Sequence, residues 1–413
     1  MKFFNQELSA KKNHFLGTHR LRSPEDTFND YSRYMNQMGI TRIANVTGLD
    51  RIGVPVCVAI RPNARALASA QGKGSTLFAA KTSALMEAIE SWHCERIDAP
   101  LRFDSQHAMA QRFNVPNLTD LPWRSDATPS NDRPFNWIEA YDLVQDQSIW
   151  LPFELVSTNF VQAHQYQPSF LQSSNGLASG NHLLEAIVHA LYEIIERDAL
   201  ALWELTPQHQ RKSKQIDLHT VNDKELRELI EKLAKLGVVV SAWEITSDVG
   251  LPVFTATIYE DPDSEYWRPL PAFSGHGCHL QPEIALARAI YEAIQSRATV
   301  ISGSRDDIFP RDYEQSGNKE DHERAIAAIR FPQPTKIFPN TQLPVGNYFE
   351  EDLNTIIQQL KKIGLDSIAV VNLTRDDIGI PVVKLVVPGL EPFHTSSYRA
   401  GKRAADYLQK IAA

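Results

Sequence analysis

Glutamates dominate the chemistry that this sequence offers. In the stretch 174–199, SNGLASGNHLLEAIVHALYEIIERDA, a glycine-bearing turn runs into a helix-period pattern that carries Glu185, Glu193 and Glu196. At about 100° per residue the three side chains fall within an arc of roughly 80°. Three carboxylates on one stripe repel one another unless something positive lies between them. A metal ion on phosphate oxygens is the natural candidate. A second predicted helix, Ala79–Ile97, places Ser83, Glu87 and Glu90 on one face. Its flanking Ala84, Leu85, Met86, Ala88, Ile89 and Trp92 make it apolar almost all round, as in a buried helix. Buried carboxylates need partners, which Mg²⁺ with phosphate, or a buried Arg or Lys, would supply.

Other groups stand near these helices in the sequence. Gly72-Lys73-Gly74 precedes the second helix, and its amides and lysine could cradle phosphate. It is not a Walker loop, and no GxGxxG follows a strand, so P-loop and dinucleotide-binding readings are disfavoured. A third predicted helix, Pro282–Thr299, holds Arg288, Glu292 and Gln295 within an arc of roughly 60°, with Arg297 off that stripe. Arg305-Asp306-Asp307 follows a small-residue turn. His182, His189, His276 and His279 lack the carboxylate or cysteine signature of a zinc site. No nucleophile elbow is present.

The elements that must position these groups show an internal repeat. Three times a helical segment ends at glycine, a strand follows, and a Gly-apolar-Pro-Val turn opens a second strand. The copies are centred on Gly39 and Gly53, Gly237 and Gly250, and Gly364 and Gly379, with spacings of 14, 13 and 15 residues. Glycine after a helix reads as a C-cap, and Gly-x-Pro before a β-rich run reads as a strand start. The repeat predicts related α/β subdomains packed together. Segments 100–150 and 303–350, rich in Pro, Asn, Asp and Gln, read as surface excursions.

Bulk properties narrow the class. The chain has 413 residues, 43% hydrophobic and 22% charged, with a net charge of −8. That is an ordinary globular composition of two or three packed units. No strongly basic segment marks a dedicated nucleic-acid binder. No apolar run is long enough to span a membrane, and no signal-peptide core is present. Three scattered cysteines fit free thiols in a reducing cytoplasm.

Taken together, the motifs resemble the YcaO family of ATP-dependent enzymes that modify peptide-backbone amides. The matching residues are Gly72–Gly74 with Ser83, Glu87 and Glu90; Ser174–Ala178 with Glu185, Glu193, Glu196, Arg197 and Asp198; and Glu283 with Arg288, Glu292, Gln295 and Arg297. The resemblance runs from about Gly17 to about Arg403. The segments Gly17–Arg20, Thr41–Asp50 and Val387–Glu391 look most like the subgroup found beside TfuA-type proteins.

The resemblance implies an α/β fold of three subdomains. Residues 1–60 would begin the first subdomain and 61–413 would form the YcaO domain, with ATP-binding motifs at 71–97, 173–199 and 275–307. It implies that Glu87, Glu90, Glu185, Glu193 and Glu196 hold Mg²⁺ on ATP phosphates and so carry catalysis. Ser83, Arg197, Gln295 and Arg297 match positions near the nucleotide, and Arg20 and Lys73 match phosphate contacts. Asn175 shapes the loop before the glutamate helix. Two departures matter. Ser91 stands where the first motif usually has Arg, and the chain ends LQKIAA without the Pro-x-Pro-x-Pro tail of azoline-forming members. The second departure favours thioamide formation in a ribosomally synthesised peptide. The implied partners are a precursor peptide or protein and a TfuA-like protein, for a homodimeric, cytoplasmic enzyme. An azoline- or amidine-forming enzyme, and a non-catalytic ATP-binding factor for ribosomal-protein methylthiolation, are the alternatives.

Overall fold

A computed structural model describes the chain apart from residues 1, 4, 5, 16, 162–166, 266, 269, 306, 309–312, 314–318, 331–333, 335, 341–342, 393–397 and 413. Asp306 therefore lies outside the described residues. In chain order, β1 (Arg42–Asn45), β2 (Val56–Ile60) and β3 (Ser69–Lys73) precede helix α1 (Leu77–Glu95). Then come β4 (Leu101–Asp104), β5 (Phe135–Asp142), β6 (Gln147–Pro152), β7 (Leu177–Ser179) and helix α2 (Leu183–Leu205). Helix α3 (Lys224–Lys235), β8 (Val238–Glu244), β9 (Val253–Glu260), β10 (Phe273–Cys278) and helix α4 (Pro282–Ser302) follow. Helix α5 (Phe349–Lys362), β11 (Ala369–Asn372), β12 (Val382–Val386) and helix α6 (Lys402–Ala412) complete the set.

Three antiparallel sheets carry the repeat. The first has the order β1-β2-β3 and leads into α1. The second has the order β8-β9-β10 and leads into α4. The third is assembled from two distant parts of the chain. Strand β11 pairs with β12, and β12 pairs with β7, which leads into α2. The repeat glycines serve the turns as expected. Gly39, Gly237 and Gly364 adopt φ of +69°, +67° and +81°, and Gly53, Gly250 and Gly379 adopt +63°, +80° and +74°. Only glycine enters that region without a steric penalty.

The segment 100–150 is not a surface excursion. Strands β5 and β6 extend the third sheet beyond β11, and β4 pairs with β5. Phe135, Trp137, Ile138, Ala140 and Tyr141 are buried. The prolines and most of the asparagines that mark this segment sit in the loops between its strands, and they masked the alternation of the strands themselves. Segment 303–350 contributes the helix Lys319–Ile329 and the strand Lys336–Ile337, with much of the rest outside the described residues.

The helix ends follow local chemistry. Thr76 caps α1 by accepting from Ala79 N at 3.1 Å, so the helix starts two residues before the expected Ala79. Helix α4 stops at Gly303, which adopts φ +58°. Helix α2 is buried along most of its length, including Leu184, Ile187, Leu191, Ile195 and Leu200. Each such side chain contributes about 1.5–3 kcal/mol of burial. That wall of contacts fixes the position of the glutamates on its remaining stripe.

Candidate active site

Helices α1, α2 and α4 each lie directly on the last strand of their sheet. A Cβ added to Gly72 of β3 would stand 2.1 Å from Ala84 N and 2.2 Å from Ala80 O. One added to Gly277 of β10 would stand 2.1 Å from Ala285 O and 2.8 Å from Ala289 N. The third unit has Ala178 in the corresponding place, eight residues before Ala186. From these close approaches all three helices run on identically. Ala80, Ala84, Glu87 and Glu90 in α1 correspond to Ala186, Ala190, Glu193 and Glu196 in α2, and to Ala285, Ala289, Glu292 and Gln295 in α4. Small residues seat the helix, and the glutamates follow one and two turns later. Glu292 is thus the counterpart of Glu87 and Glu193.

The acidic side chains meet between the units. Glu90 Oε1 accepts from Ser179 N at 2.8 Å and from Ser179 Oγ at 2.7 Å, joining α1 to β7. Glu292 Oε2 pairs with Lys73 Nζ at 2.8 Å, joining α4 to β3, and its Oε1 accepts from His276 N at 3.3 Å. Glu87 Oε2 accepts from Gln71 N at 3.2 Å. Glu87 itself is exposed.

Electrostatics show how crowded this region is. Burial raises the Glu90 carboxyl to about 8, with Glu87 and Glu193 adding repulsion against the Ser179 hydrogen bonds. Confinement raises Glu87 to about 7, with Glu193 adding to it and Lys73 opposing. Burial and then Glu292 raise Glu196 to about 7, opposed by Arg197 and Arg288. Glu193 is also raised, first by burial, while Arg197 and Lys384 oppose. For Glu292 burial acts upward too, but Lys73, His276 and Arg197 hold it at about 2. Protein cations therefore neutralise Glu292 and leave the other acids undercompensated.

Glu185 sits at the near end of the same helix. Its Oε2 accepts from Leu21 N at 3.2 Å and Asn181 N at 3.3 Å, and its Oε1 lies 3.7 Å from Arg20 Nε. Arg20 also feels Glu90, which connects Glu185 to the cluster. Ser83 is one turn before Glu87, and Gln295 one turn after Glu292. Asn175 is held on the loop before β7, where its Oδ1 is buried without a partner among the described residues.

Arg297 is placed otherwise than expected. It is fully buried and grips Asp50 with Nε at 2.8 Å and Nη2 at 3.1 Å, and Glu260 with Nη2 at 2.7 Å. Lying about 140° round α4 from Glu292, it faces its own sheet and the first unit rather than the acids. It ties those two units together. The sequence named Glu292, Arg288 and His276 but gave them no place in the cluster, where Glu292 meets Lys73 and the His276 amide. The shared alanine–glutamate spacing of the three helices was the available signal.

Among the described residues no three His, Cys, Asp or Glu side chains converge tightly enough to hold an ion unaided. Mg²⁺ asks for less, since it usually takes one or two carboxylates together with substrate phosphates and waters. The acids raised to about 7 and 8, with Asn175 Oδ1, Gln71 Nε2, His276 Nδ1 and Arg288 Nε, which have no partner among the described residues, fit a metal–phosphate ligand.

A family model described as YcaO cyclodehydratase, ATP- and Mg²⁺-binding, matches residues 71–391. The chain belongs to the YcaO family. An uncharacterized protein of Methanothermobacter thermautotrophicus is 34% identical over 384 residues, 92% of this chain and 97% of its own. A protein of Rhizobium leguminosarum bv. trifolii, named for its place in a tfuA 3′ region, is 32% identical over 393 residues, 94% of this chain and 92% of its own. Among solved structures, a heterocyclase in complex with substrate and cofactor superposes with a TM-score of 0.79 at 23% identity. The match covers 98% of this chain and 56% of that one, so the chain spans little more than half of that heterocyclase. YcaO from Methanopyrus kandleri, bound with AMPPCP and Mg²⁺, superposes with a TM-score of 0.72 at 20% identity, covering 92% and 94%. These likenesses establish the YcaO fold. No helix among the described residues is long and apolar enough to cross a membrane.

Proposed function

We propose that this YcaO protein is an ATP- and Mg²⁺-dependent enzyme that activates a backbone amide of a ribosomally made peptide for conversion to a thioamide. The observation that carries the reading is the acidic cluster shared by α1, α2 and α4, whose charge the protein's own cations only partly offset. Bound Mg·ATP supplies a phosphoryl group that turns the amide oxygen into a leaving group. Glu87, Glu90, Glu185, Glu193 and Glu196 would hold the metal, with Ser83, Asn175 and Gln295 beside the nucleotide. Lys73, Arg20 and Arg197 would neutralise and orient phosphate oxygens, the positioning and charge work that dominates phosphoryl transfer. Overall, amide, hydrosulfide and ATP give thioamide, ADP and hydrogen phosphate, a reaction balanced in atoms and charge without an oxidant.

The tfuA-region relative supports the thioamide branch and a TfuA-like partner. The enzyme is expected to work as a homodimer in the cytoplasm. Intact-mass measurement of a precursor peptide treated with the chain, the TfuA-like protein, ATP, Mg²⁺ and sulfide tests the product. Thioamide formation adds about 16 Da, whereas azoline formation from the same phosphoryl-transfer site removes about 18 Da. A mass loss would defeat the thioamide assignment.

A further inference from the structure

Two edges of the third sheet differ. At β6 the outward groups are covered, because Trp150 N donates to Asn114 O at 2.8 Å and Asn114 Nδ2 donates to Ser148 O at 3.1 Å. Strand β4 pairs with β5 along one side, and its Leu101, Arg102 and Phe103 are all exposed, Phe103 to 68%. The register shows which of its backbone groups face outward. Trp150 points away from β5, so Glu139 opposite it points toward β4 and β11, as does Trp137 two residues earlier. Leu143 N, which donates to Ile368 O of the β11 side at 3.0 Å, has the same direction. Arg102, opposite Trp137, therefore bonds to β5, and alternation turns the N–H and C=O of Leu101 and Phe103 outward. Those groups have no hydrogen-bond partner among the described residues.

An open edge invites another strand, and proteins usually blunt it with proline, lysine or a bulge. Strand β4 carries none of these. Leu101 lies opposite Ile138 and shares its face, the one on which α1 packs; Phe103 points the same way. Arg102 and Asp104 occupy the other face. The Arg102 guanidinium lies over the rings of Phe113 at 4.5 Å and Trp150 at 4.9 Å, and Asp104 Oδ1 accepts from Ser105 N at 2.9 Å. Both charges are thus held before a partner arrives, which lowers the ordering cost of association. More apolar surface stands at the last turn of α1. There Thr158 N donates to Cys94 O and Ala66 N to Glu95 Oε1, each at 3.2 Å, and the adjoining Phe160, Val161 and Leu67 are exposed.

We propose that β4 pairs antiparallel with β4 of a second copy of this chain, about a two-fold axis at Phe103. The sequence Leu101-Arg102-Phe103-Asp104 is self-complementary in that register. Phe103 meets the partner's Phe103 as a hydrogen-bonded pair that exchanges two N–H···O bonds. Arg102 stands opposite the partner's Asp104, and Asp104 opposite the partner's Arg102, an opposite-charge pair on each side of the axis. Sliding the strands by one pairing step either way sets two Arg102 or two Asp104 side chains against each other, which is unfavourable. The contact is isologous, so it closes as a dimer. A four-residue edge is small against the roughly 800 Å² per partner of a stable interface. The axis, perpendicular to the sheet, also places the two α1 ends on one side, where their exposed apolar residues add area. The proposal rests on the functional reading only for the expected homodimer.

Light scattering of the full chain should give twice the chain mass. Directly opposite residues of a hydrogen-bonded pair have Cα atoms about 5.5 Å apart, within disulfide range. Under mild oxidation Phe103→Cys should therefore form a linked dimer, whereas Leu101→Cys, which faces the partner's Ser105, should not. Native cysteines do not confuse the result, because Cys57, Cys94 and Cys278 are buried. Arg102→Asp and Asp104→Arg should each shift the chain toward the monomer mass, and the two together in one chain should restore the dimer. Thermal melts identify any charge variant that fails to fold, and the exposed Phe103→Cys then decides. A monomeric chain, or a dimer that Phe103→Cys does not link, would overturn the proposal. Protection of the Phe103 amide from exchange only on addition of a precursor peptide would give the edge to the substrate and overturn it as well. A loss of peptide mass in the product assay removes the thioamide reading and leaves this interface untouched.

Discussion

The glutamates of the cluster make the nucleotide-free protein sensitive to pH. An ordinary glutamate has the reference value 4.5, whereas Glu87 and Glu196 stand near 7 and Glu90 near 8. Between those values the unfolded chain has released protons that the folded chain retains. Stability should therefore fall as pH rises through this window. A bound metal ion reverses the preference, because it needs the ionised carboxylates. Thermal melts at about pH 6 and about pH 8.5 check this linkage. The upward shift in Tm produced by Mg²⁺ with a non-hydrolysable ATP analogue should be larger at the higher pH. An equal or smaller shift there would mean that these carboxylates are not the groups the metal meets.

At the scale of elements, the helices were legible because their apolar faces and glutamate stripes share one period. The strand pairs were legible from glycine turns that only glycine makes easily. The third unit was not legible as a unit. Its last strand and helix occupy 177–205, while its first two strands lie at 369–386. Nothing local links segments that only sheet pairing brings together. The role of Arg297 was hidden for a related reason, since its partners Asp50 and Glu260 belong to other elements. The close seating of each helix on its strand gives a direct test. Gly72→Ala forces a Cβ to 2.1 Å from the backbone of α1. It should cost about 1–3 kcal/mol and weaken nucleotide binding, because Glu87 and Glu90 ride on that helix. Gly364→Ala meets nothing within 4 Å and adds only left-handed strain at φ +81°, about 1–2 kcal/mol. It should leave nucleotide affinity intact. Urea unfolding combined with nucleotide titration separates the two outcomes; equal nucleotide affinity in both variants would refute the seating argument.

Across the whole molecule, the acidic cluster belongs to no single unit. Lys73 of the first unit reaches Glu292 of the second, and Ser179 of the third reaches Glu90 of the first. Buried ion pairs lock the units around it. Arg297 joins Asp50 to Glu260, and Arg403 of α6 clamps Asp198 of α2 at 2.7 and 2.9 Å while also binding Asp248. Breaking such pairs is costly because it strands a buried charge. We propose that three helices from three units jointly hold one metal–nucleotide ligand. Calorimetric titration of a non-hydrolysable ATP analogue, with and without Mg²⁺, into the wild type and into Glu87→Gln, Glu193→Gln and Gln295→Ala checks this. Binding should require Mg²⁺, and each variant should weaken it by roughly tenfold or more while remaining folded. Binding that is indifferent to Mg²⁺, or weakened by a change on one helix alone, would contradict it.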